Sequence, residues 1–217
     1  MPWNKKHLSG CKLYVILDRE VAGYPKLFEI LKKAAQGGVD ILQVRDKKGS
    51  AREIIDFVRK ARKHLNGRIP LIVNDRVDVA LLAGADGVHL GQEDIALKDA
   101  RNLLGPKAII GVSCQTLAHA RQAQKDGADY VGFGSVFKTL TKPERVPMNL
   151  KLLTRVAQTI PIPVFAIGGI NRRNIGKVLD TGITRVAVCR EILLAKDVAR
   201  SVWLLKNDLN SKTPSRI

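Results

Sequence analysis

The sequence predicts one α/β domain folded as a closed (β/α)8 barrel, the TIM barrel. Eight short apolar runs alternate with segments of helical periodicity along the 217 residues. The runs are rich in Val, Ile and Leu rather than strictly alternating, which is typical of parallel strands covered on both faces. Eight strand–helix units of about 27 residues each account for the chain, so no room remains for a second domain.

A weak internal repeat supports the count of eight units. Four segments share a glycine, a short turn and an apolar run, and they begin at Gly38, Gly84, Gly127 and Gly182. Glycine supplies the left-handed conformation that commonly ends a helix. Each interval between these glycines holds two strand–helix units, as expected of a chain built from four similar quarters.

An open doubly wound sheet is the alternative architecture. It requires a glycine-rich fingerprint after the first strand, whereas Asp18 is followed here by Arg-Glu-Val-Ala-Gly. The sequence also lacks a G-x-x-x-x-G-K-[ST] phosphate loop. The closed barrel is therefore favoured.

The individual elements follow from local signals. The helix after the second strand is the clearest, because Ile54, Val58 and Ala61 share one face, and Ser50 with Glu53 forms a capping box before them. The predicted boundaries are a leader at 1–12, the barrel at 13–209, a polar tail at 210–217, and strands at Leu13–Asp18, Ile41–Val44, Leu71–Asn74, Gly87–Leu90, Ile109–Ser113, Tyr130–Gly134, Val164–Ile167 and Arg185–Cys189.

Charge and composition narrow the classes of function. Lys and Arg number 37 against 20 Asp and Glu, which gives a formal net charge of +17. This balance suits small phosphorylated substrates as well as nucleic acid. Aromatic residues make up only 5%, and none is interleaved with the basic runs as base stacking requires. Nucleic acid is therefore not expected as the main ligand.

The cysteines and the apolar runs indicate in which cellular compartment the chain resides. Cys11, Cys114 and Cys189 are widely spaced and odd in number, which disfavours a disulfide framework or a thiolate zinc site and favours a reduced, cytoplasmic chain. No apolar run approaches the roughly 20 residues of a membrane span, so no membrane partner is expected. An oligomer is compatible with the sequence.

Polar side chains cluster where the predicted strands end, which is where barrels place their chemistry. After the second strand, Gln43, Arg45 and Lys47 share one side of an extended chain, and Val44 takes the other. Two cations and an amide on one side favour a polyanion site. The alternative is an exposed charged loop.

Two carboxylates follow the next strand ends. Asp75 comes directly after the third strand, and Asp94 lies in the loop after the fourth. Together they would provide the oxygen ligands that Mg²⁺ prefers. The alternative is that each caps the helix it precedes. Strand-interior His89 is expected to fill a core position instead.

The later strand ends suggest anion contacts. Ser113 ends the fifth strand, and a long polar, cationic loop follows the sixth, as in a lid that closes over a ligand. Gly169 follows the seventh strand, and Cys189 with Arg190 marks the end of the eighth. Loops after the last two strands of such barrels frequently bind phosphate through backbone N–H groups.

These strand-end motifs resemble those of the thiamine phosphate synthase family over nearly the whole chain, from Leu13 to Ala195. The family is one of (β/α)8-barrel transferases. The matching motifs are Gln43-Val-Arg-Asp-Lys47, Asn74-Asp75-Arg-Val-Asp, Asp86-Gly-Val-His-Leu-Gly-Gln-Glu-Asp94, Gly111-Val-Ser113, Gly127-Ala-Asp-Tyr-Val-Gly, Thr139-Leu-Thr-Lys142 and Ala166-Ile-Gly-Gly169-Ile.

The resemblance implies a reaction in thiamine biosynthesis. Hydroxymethylpyrimidine diphosphate and hydroxyethylthiazole phosphate would give thiamine phosphate and pyrophosphate, by ionisation to a pyrimidine carbocation that the thiazole nitrogen captures. It implies Mg²⁺ held by Asp75 and Asp94, and catalytic roles for Arg45, Lys47 and Ser113 as well as Lys142. The implied substrate-binding set is Gln43, Val44, Arg45, Asp46, Lys47, Asn74, Ser113, Thr139, Leu140, Thr141, Lys142, Gly169, Cys189 and Arg190.

Two departures from the family pattern leave alternatives open. The family commonly has Ser where Arg190 stands, and the residues after Lys142 lack the usual glycine-rich character. A related thiazole tautomerase shares the barrel, but some of those enzymes carry His where Gln115 stands here. A non-catalytic barrel that binds thiamine precursors or nucleic acid is the third interpretation.

Overall fold

The computed structural model describes residues 5–140 and 146–211. Its parallel strands form a closed barrel in which each strand pairs with the next and the last pairs with the first. The barrel prediction is confirmed, and the open sheet is excluded. The strands are β1 (Leu13–Asp18), β2 (Ile41–Arg45), β3 (Leu71–Asn74), β4 (Gly87–Leu90), β5 (Ile109–Cys114), β6 (Tyr130–Phe133), β7 (Val164–Ile167) and β8 (Val186–Val188).

Helices cover the outside of the barrel. The capping box of α2 is present, since the Ser50 hydroxyl accepts a hydrogen bond from the Glu53 amide and the Glu53 carboxylate accepts one from the Ser50 amide. The helices are α1 (Tyr24–Gln36), α2 (Ala51–Leu65), α3 (Val77–Ala83), α4 (Leu97–Leu104), α5 (Leu117–Lys125), α6 (Leu150–Thr159), α7 (Ile175–Leu179), α8 (Arg190–Leu193) and α9 (Val198–Ser211).

One end of the barrel is closed and the other is open. A 3-10 helix at Lys5–Gly10 closes the end where the strands begin, and Leu8 with Cys11 packs against Tyr14 and Ile41 inside the barrel. Leu8 and Cys11 of the predicted leader are therefore part of the packed core, whereas His7, Ser9 and Gly10 are exposed. The opposite end, where the strands finish, is open and polar.

The internal repeat has a structural cause. Asp40, Asp86 and Asp129 follow three of the four repeated glycines, and each carboxylate accepts a hydrogen bond from a backbone amide at the start of the preceding strand, at 2.7 to 2.8 Å. The fourth repeat carries Thr184 at this position instead. The repeated aspartates therefore tie β2, β4 and β6 to their preceding neighbours.

The C-terminal boundary differs slightly from the prediction. Helix α9 runs to Ser211, two residues beyond the expected end of the barrel at 209. The rest of the predicted tail lies outside the described residues. Within the described part of the chain, no helix combines the length and apolar character that crossing a membrane requires.

Candidate active site

A cavity of about 780 Å³ opens at the carboxyl ends of the strands. Because successive side chains of a strand point to opposite faces, every second residue reaches the barrel interior. The lining mixes polar groups with the aromatic rings deeper in the barrel. The polar and aromatic side chains that line it include Tyr14, Gln43, Arg45, Asn74, His89, Ser113, Gln115, Tyr130, Lys138, Thr139, Phe165, Asn171 and Arg190.

The β2 side chains point as the sequence predicts. Gln43 and Arg45 line the cavity, while Val44 packs into the layer between strands and helices. The Arg45 guanidinium is almost buried and donates to the Asp18 carboxylate at 2.7 Å, with Glu20 at 3.7 Å. The exposed-loop alternative is therefore wrong for this arginine, and a fixed cation faces the cavity.

Three described members of the expected substrate set, Val44, Asp46 and Lys47, do not line the cavity. Val44 is buried on the outer side of the barrel wall. The Asp46 carboxylate instead accepts hydrogen bonds from the Tyr24 hydroxyl at 2.8 Å and from the amides of Lys48 and Gly49. This network organises the β2–α2 loop and lowers the pKa of Asp46 against the opposing effect of burial.

The two predicted metal ligands lie together beside the cavity. Asp94 is partly buried, which raises the pKa of its carboxyl; a hydrogen bond from the Gly91 amide opposes this rise, and the neighbouring Asp75 carboxylate adds to it. The Lys47 ammonium contacts the Asp75 carboxylate. Neither aspartate lines the cavity itself, but Asn74, directly before Asp75, does.

The capping alternative for these aspartates is wrong. The N-caps of α3 and α4 are Arg76 and Ala96, and neither helix has a side-chain cap. Asp75 also adopts a left-handed backbone with φ 61°, which is uncommon for a residue other than glycine. Such conformations concentrate at functional sites, where the surrounding structure enforces them.

A row of nearly buried polar side chains crosses the barrel at the floor of the cavity. The Gln43 amide nitrogen lies 2.7 Å from the Tyr14 hydroxyl, and the Tyr14 and Tyr130 hydroxyls are 2.9 Å apart. His89 contacts Tyr130 through Nδ1 at 3.0 Å and Ser113 Oγ through Nε2 at 2.9 Å. His89 thus occupies the hydrogen-bonded core position that the sequence predicts.

Sequence analysis missed the two tyrosines. Tyr14 and Tyr130 lie near the starts of β1 and β6, where the sequence suggests apolar packing alone. A signal was present, because a buried tyrosine hydroxyl normally requires a hydrogen-bond partner. The parity of β1 and β6 also places both rings inside the barrel.

The loops after β6 and β7 touch each other at the cavity wall. Gly169 has φ 64°, and a Cβ built on it would lie 2.3 Å from the Lys138 carbonyl oxygen. Glycine at this position thus permits the two loops to approach. Thr139 and Leu140 line the cavity, as expected of substrate contacts, whereas Thr141 and Lys142 lie outside the described residues.

The end of β8 completes the rim. The short helix α8 begins at Arg190, with Cys189 as its N-cap, and both residues line the cavity. Within residues 5–140 and 146–211, the Arg190 guanidinium has no ion-pair partner, and neither has Lys138. Two cations on this side of the cavity are therefore positioned to meet an anion.

Among the described residues, no group of three or more His, Cys, Asp and Glu side chains is arranged to hold a metal ion. A divalent ion between Asp75 and Asp94 would therefore take its remaining ligands from a substrate or from water.

Comparisons with known proteins agree with the family resemblance of the sequence motifs. The family model for thiamine monophosphate synthase matches residues 13–192. The thiamine-phosphate synthase of Halalkalibacterium halodurans is 44% identical over 192 residues, which are 86% of this chain and 90% of that protein. The thiamine-phosphate synthase of Shouchella clausii is 42% identical over 189 residues, with the same coverage of both chains.

A solved structure agrees with these sequences. The thiamine phosphate pyrophosphorylase from Pyrococcus furiosus superimposes with a TM-score of 0.85 at 36% identity, covering 95% of this chain and 98% of that chain. The chain therefore belongs to the thiamine monophosphate synthase family.

Proposed function

We propose that the protein joins hydroxymethylpyrimidine diphosphate to hydroxyethylthiazole phosphate, giving thiamine phosphate and pyrophosphate. Membership of the family makes it an enzyme, a transferase of thiamine biosynthesis. One observation supports the proposal most strongly. Arg45 and Ser113 face one cavity from separate strands, and the Asp75–Asp94 pair lies directly beside it.

The proposed chemistry needs no side-chain nucleophile. The bond between the pyrimidine methylene carbon and the diphosphate oxygen breaks, and both electrons leave with pyrophosphate. The thiazole nitrogen then donates its lone pair to the resulting carbocation and forms the new C–N bond. Stabilisation of the leaving group and alignment of the two partners would provide the rate enhancement. A cavity of about 780 Å³ has the size usual for small-molecule sites.

The β2 cluster is proposed to bind the diphosphate. Arg45 offers a guanidinium already oriented by Asp18, and a fixed donor needs no reorganisation as charge develops. Lys47 and Ser113 would add further donors to the leaving pyrophosphate. Gln43 and Asn74 line the same wall and would contact the pyrimidine and the diphosphate.

Asp75 and Asp94 fit a divalent cation. They supply hard oxygen ligands from neighbouring strand ends, and the Asp75 carboxylate lies close enough to Asp94 to add to the rise that burial causes in the Asp94 pKa, which supports a shared cation. A bound Mg²⁺ would supply positive charge to the diphosphate. The Lys47 ammonium, in contact with Asp75, keeps this carboxylate pair partly neutralised.

The opposite wall is proposed to hold the thiazole phosphate. Gly169, Thr139 and Leu140 come from the β7 and β6 loops, and Cys189 with Arg190 comes from the start of α8. Backbone amides at this position would face the phosphate. The Arg190 guanidinium would add a charge-assisted contact in place of the usual small residue. The Thr141 and Lys142 roles remain predictions.

A two-substrate assay tests the proposal. Mixing both substrates with Mg²⁺ should yield thiamine phosphate and pyrophosphate in equal amounts, and Asp75→Asn or Asp94→Asn should abolish most of the turnover. Asp56→Asn, on the exposed face of α2, is the matched control and should keep full activity. Conversion of a thiazole alone would support the tautomerase, and salt-sensitive nucleic-acid binding without product would support the binding-protein alternative.

A further inference from the structure

The polar row at the floor of the cavity has one end whose hydrogen-bonding role is fixed. An amide NH2 group donates hydrogen bonds and cannot accept them. Because Gln43 meets the Tyr14 hydroxyl through Nε2, at 2.7 Å, the Tyr14 oxygen must accept. Gln43 and Tyr14 are each only 2% exposed, so bulk water does not compete for these groups.

The direction then propagates along the row. Among the described residues, the Tyr14 hydroxyl contacts only Gln43 and Tyr130, so its own proton is donated to the Tyr130 oxygen. Tyr130 in turn donates its proton to His89 Nδ1 at 3.0 Å. Any other arrangement would leave a buried tyrosine hydroxyl without an acceptor, which is costly in a dry interior.

The last link reaches the cavity. With Nδ1 accepting, the His89 ring carries its proton on Nε2 and donates it to Ser113 Oγ at 2.9 Å. The Ser113 hydroxyl then uses a lone pair for His89 and keeps its own proton for another acceptor. Ser113 lines the cavity, so that proton is available to a bound anion.

We propose that Gln43, Tyr14, Tyr130 and His89 form a directional relay that holds Ser113 as a hydrogen-bond donor towards an anion in the cavity. In this account His89 and Tyr130 are positioning residues, since they act through Ser113 rather than touching the reacting atoms. The identity of the anion as pyrophosphate rests on the proposed function. The direction of the relay is independent of the proposed function.

The barrel is constructed around the relay. A Cβ on Gly111 would lie 2.0 Å from the Tyr130 ring, and a Cβ on Gly132 would lie 3.1 Å from the His89 ring. The His89 and Tyr130 rings stack with centroids 5.5 Å apart, and Phe165 packs edge-on against Tyr130. Both glycines therefore make room for the rings that carry the hydrogen bonds.

The tyrosines also keep the protons that the relay needs. Burial raises the pKa of both the Tyr14 and the Tyr130 hydroxyl well above the ordinary value for tyrosine. Neither phenol therefore ionises at neutral pH. Two protonated hydroxyls in series transmit the donor character of the Gln43 amide to the imidazole.

Nitrogen-15 NMR of the histidines tests the direction without any ligand. The chain has four histidines, and a His89→Gln variant identifies the His89 signals by their loss. At neutral pH, His89 should show the Nε2–H tautomer with an unprotonated, hydrogen-bonded Nδ1. Tyr130→Phe should shift the Nδ1 resonance towards that of a free acceptor. An Nδ1–H tautomer or a doubly protonated ring in the unchanged protein would overturn the proposal.

Phe165→Leu provides the matched control for packing. It changes the same layer of the barrel and contacts the same tyrosine ring, but it removes no polar atom. The Nε2–H tautomer should persist in this variant. Loss of the tautomer on a purely apolar change would show that packing, and not the hydrogen-bond chain, sets the imidazole, and it would contradict the relay.

Binding of inorganic pyrophosphate with Mg²⁺ tests the consequence at Ser113. Tyr130→Phe should weaken binding about tenfold, the size expected when one donor to a charged group loses its fixed orientation. Ser113→Ala should weaken it at least as much. In the double variant the effects should not add, because Tyr130 acts only through Ser113.

The two measurements separate the relay from the proposed function. Fully additive effects in the double variant would overturn the positioning role of Tyr130. Failure of the unchanged protein to bind pyrophosphate would contradict the proposed function and the anion assigned to Ser113, whereas the Nε2–H tautomer would still support the direction of the relay.

Discussion

Arg45 shows how one residue serves both fold and site. Sequence parity predicts that it faces the barrel interior, and the structure confirms this orientation. Its partner was not predictable, because Asp18 lies 27 residues earlier, at the end of a different strand. The pair is nearly buried, so the arginine also neutralises a carboxylate that is fully inaccessible to solvent.

Replacing Arg45 should therefore affect stability as well as turnover. The sequence alone predicts that Arg45→Ala lowers turnover without unfolding the protein. The structure adds a second expectation, because Arg45→Ala would leave the buried Asp18 carboxylate without its cation, at a cost of about 3–5 kcal/mol in the free energy of unfolding. Urea denaturation measures this loss.

Arg45→Lys separates the two effects. Lysine keeps a cation opposite Asp18 but lacks the planar fork of donors. Most of the lost stability should return, while turnover stays lower by about 10²-fold, as for removal of one oriented donor. Turnover close to normal in Arg45→Lys, measured on folded protein, would argue against a role for the guanidinium in catalysis.

Gly169 carries a second prediction at this scale. Gly169→Ala and Gly127→Ala both place a side chain at positive φ, which destabilises by roughly 1–2 kcal/mol. Only Gly169→Ala also displaces the Lys138 carbonyl, since nothing lies within 4 Å of a Cβ on Gly127. Steady-state kinetics should show kcat/KM for the phosphorylated thiazole falling about 10²-fold in Gly169→Ala alone. Equal kcat/KM values in the two variants would contradict a role for the contact between the β6 and β7 loops in binding the thiazole.

At the scale of elements, the strands were predictable and the contacts between them were not. Every predicted strand agrees with the structure to within one residue at either end. The strand signal is local, since it rests on apolar runs and the turns that bound them. The Tyr14–Tyr130 contact joins residues 116 positions apart, and no local pattern encodes it.

The internal repeat is visible in the sequence, but the structural role of its aspartates is not. Asp129 accepts from the Ile110 amide and from the Arg101 guanidinium, each at 2.7 Å, and it also pairs with Lys5 at 3.0 Å. These contacts lie at the end of the barrel where strands begin, away from the cavity. They therefore stabilise strand pairing and do not serve the site.

Asp129→Ala should destabilise without altering catalysis. Leaving the Ile110 amide and Arg101 without their shared acceptor should lower the free energy of unfolding by about 3 kcal/mol. Asp56→Ala, at an exposed position on α2, should stay within about 0.5 kcal/mol. Denaturant titration gives both values, and turnover per folded molecule should not change. A small effect in Asp129→Ala would contradict the structural role of the repeat.

At the scale of the whole molecule, the three thiols report on packing. Burial raises the pKa of Cys11 to about 12, with a further rise from Asp40, and burial likewise raises the pKa of Cys114 to about 12. Both thiols are therefore protonated and enclosed at pH 8. Cys114 and Cys189 both line the cavity, but Cys114 is only 1% exposed whereas Cys189 is half-buried, so a reagent that enters the cavity can reach Cys189.

A thiol-reactive dye should distinguish these environments. The folded protein should react rapidly at Cys189 alone, and the unfolded chain should react at all three cysteines. Cys189→Ser should remove the rapid phase and serves as the control. Rapid reaction of Cys11 or Cys114 in the folded protein would contradict the packing of the barrel floor and wall.

The site as a whole forms because residues that are far apart in the sequence meet at one rim of the barrel. The sequence predicts which residues lie at the strand ends, because barrel topology brings all eight ends to one rim. It does not predict that Arg45 pairs with Asp18, that Lys47 contacts Asp75, or that a polar relay supports Ser113 from below. These arrangements depend on the three-dimensional path of side chains across the barrel.

A crystal structure with Mg²⁺ and pyrophosphate tests this convergence most directly. The account predicts pyrophosphate in the cavity within hydrogen-bonding distance of Arg45 and Ser113, with the cation bound by Asp75 and Asp94. Pyrophosphate found only against Lys138 and Arg190, or a cation that contacts neither aspartate, would contradict it.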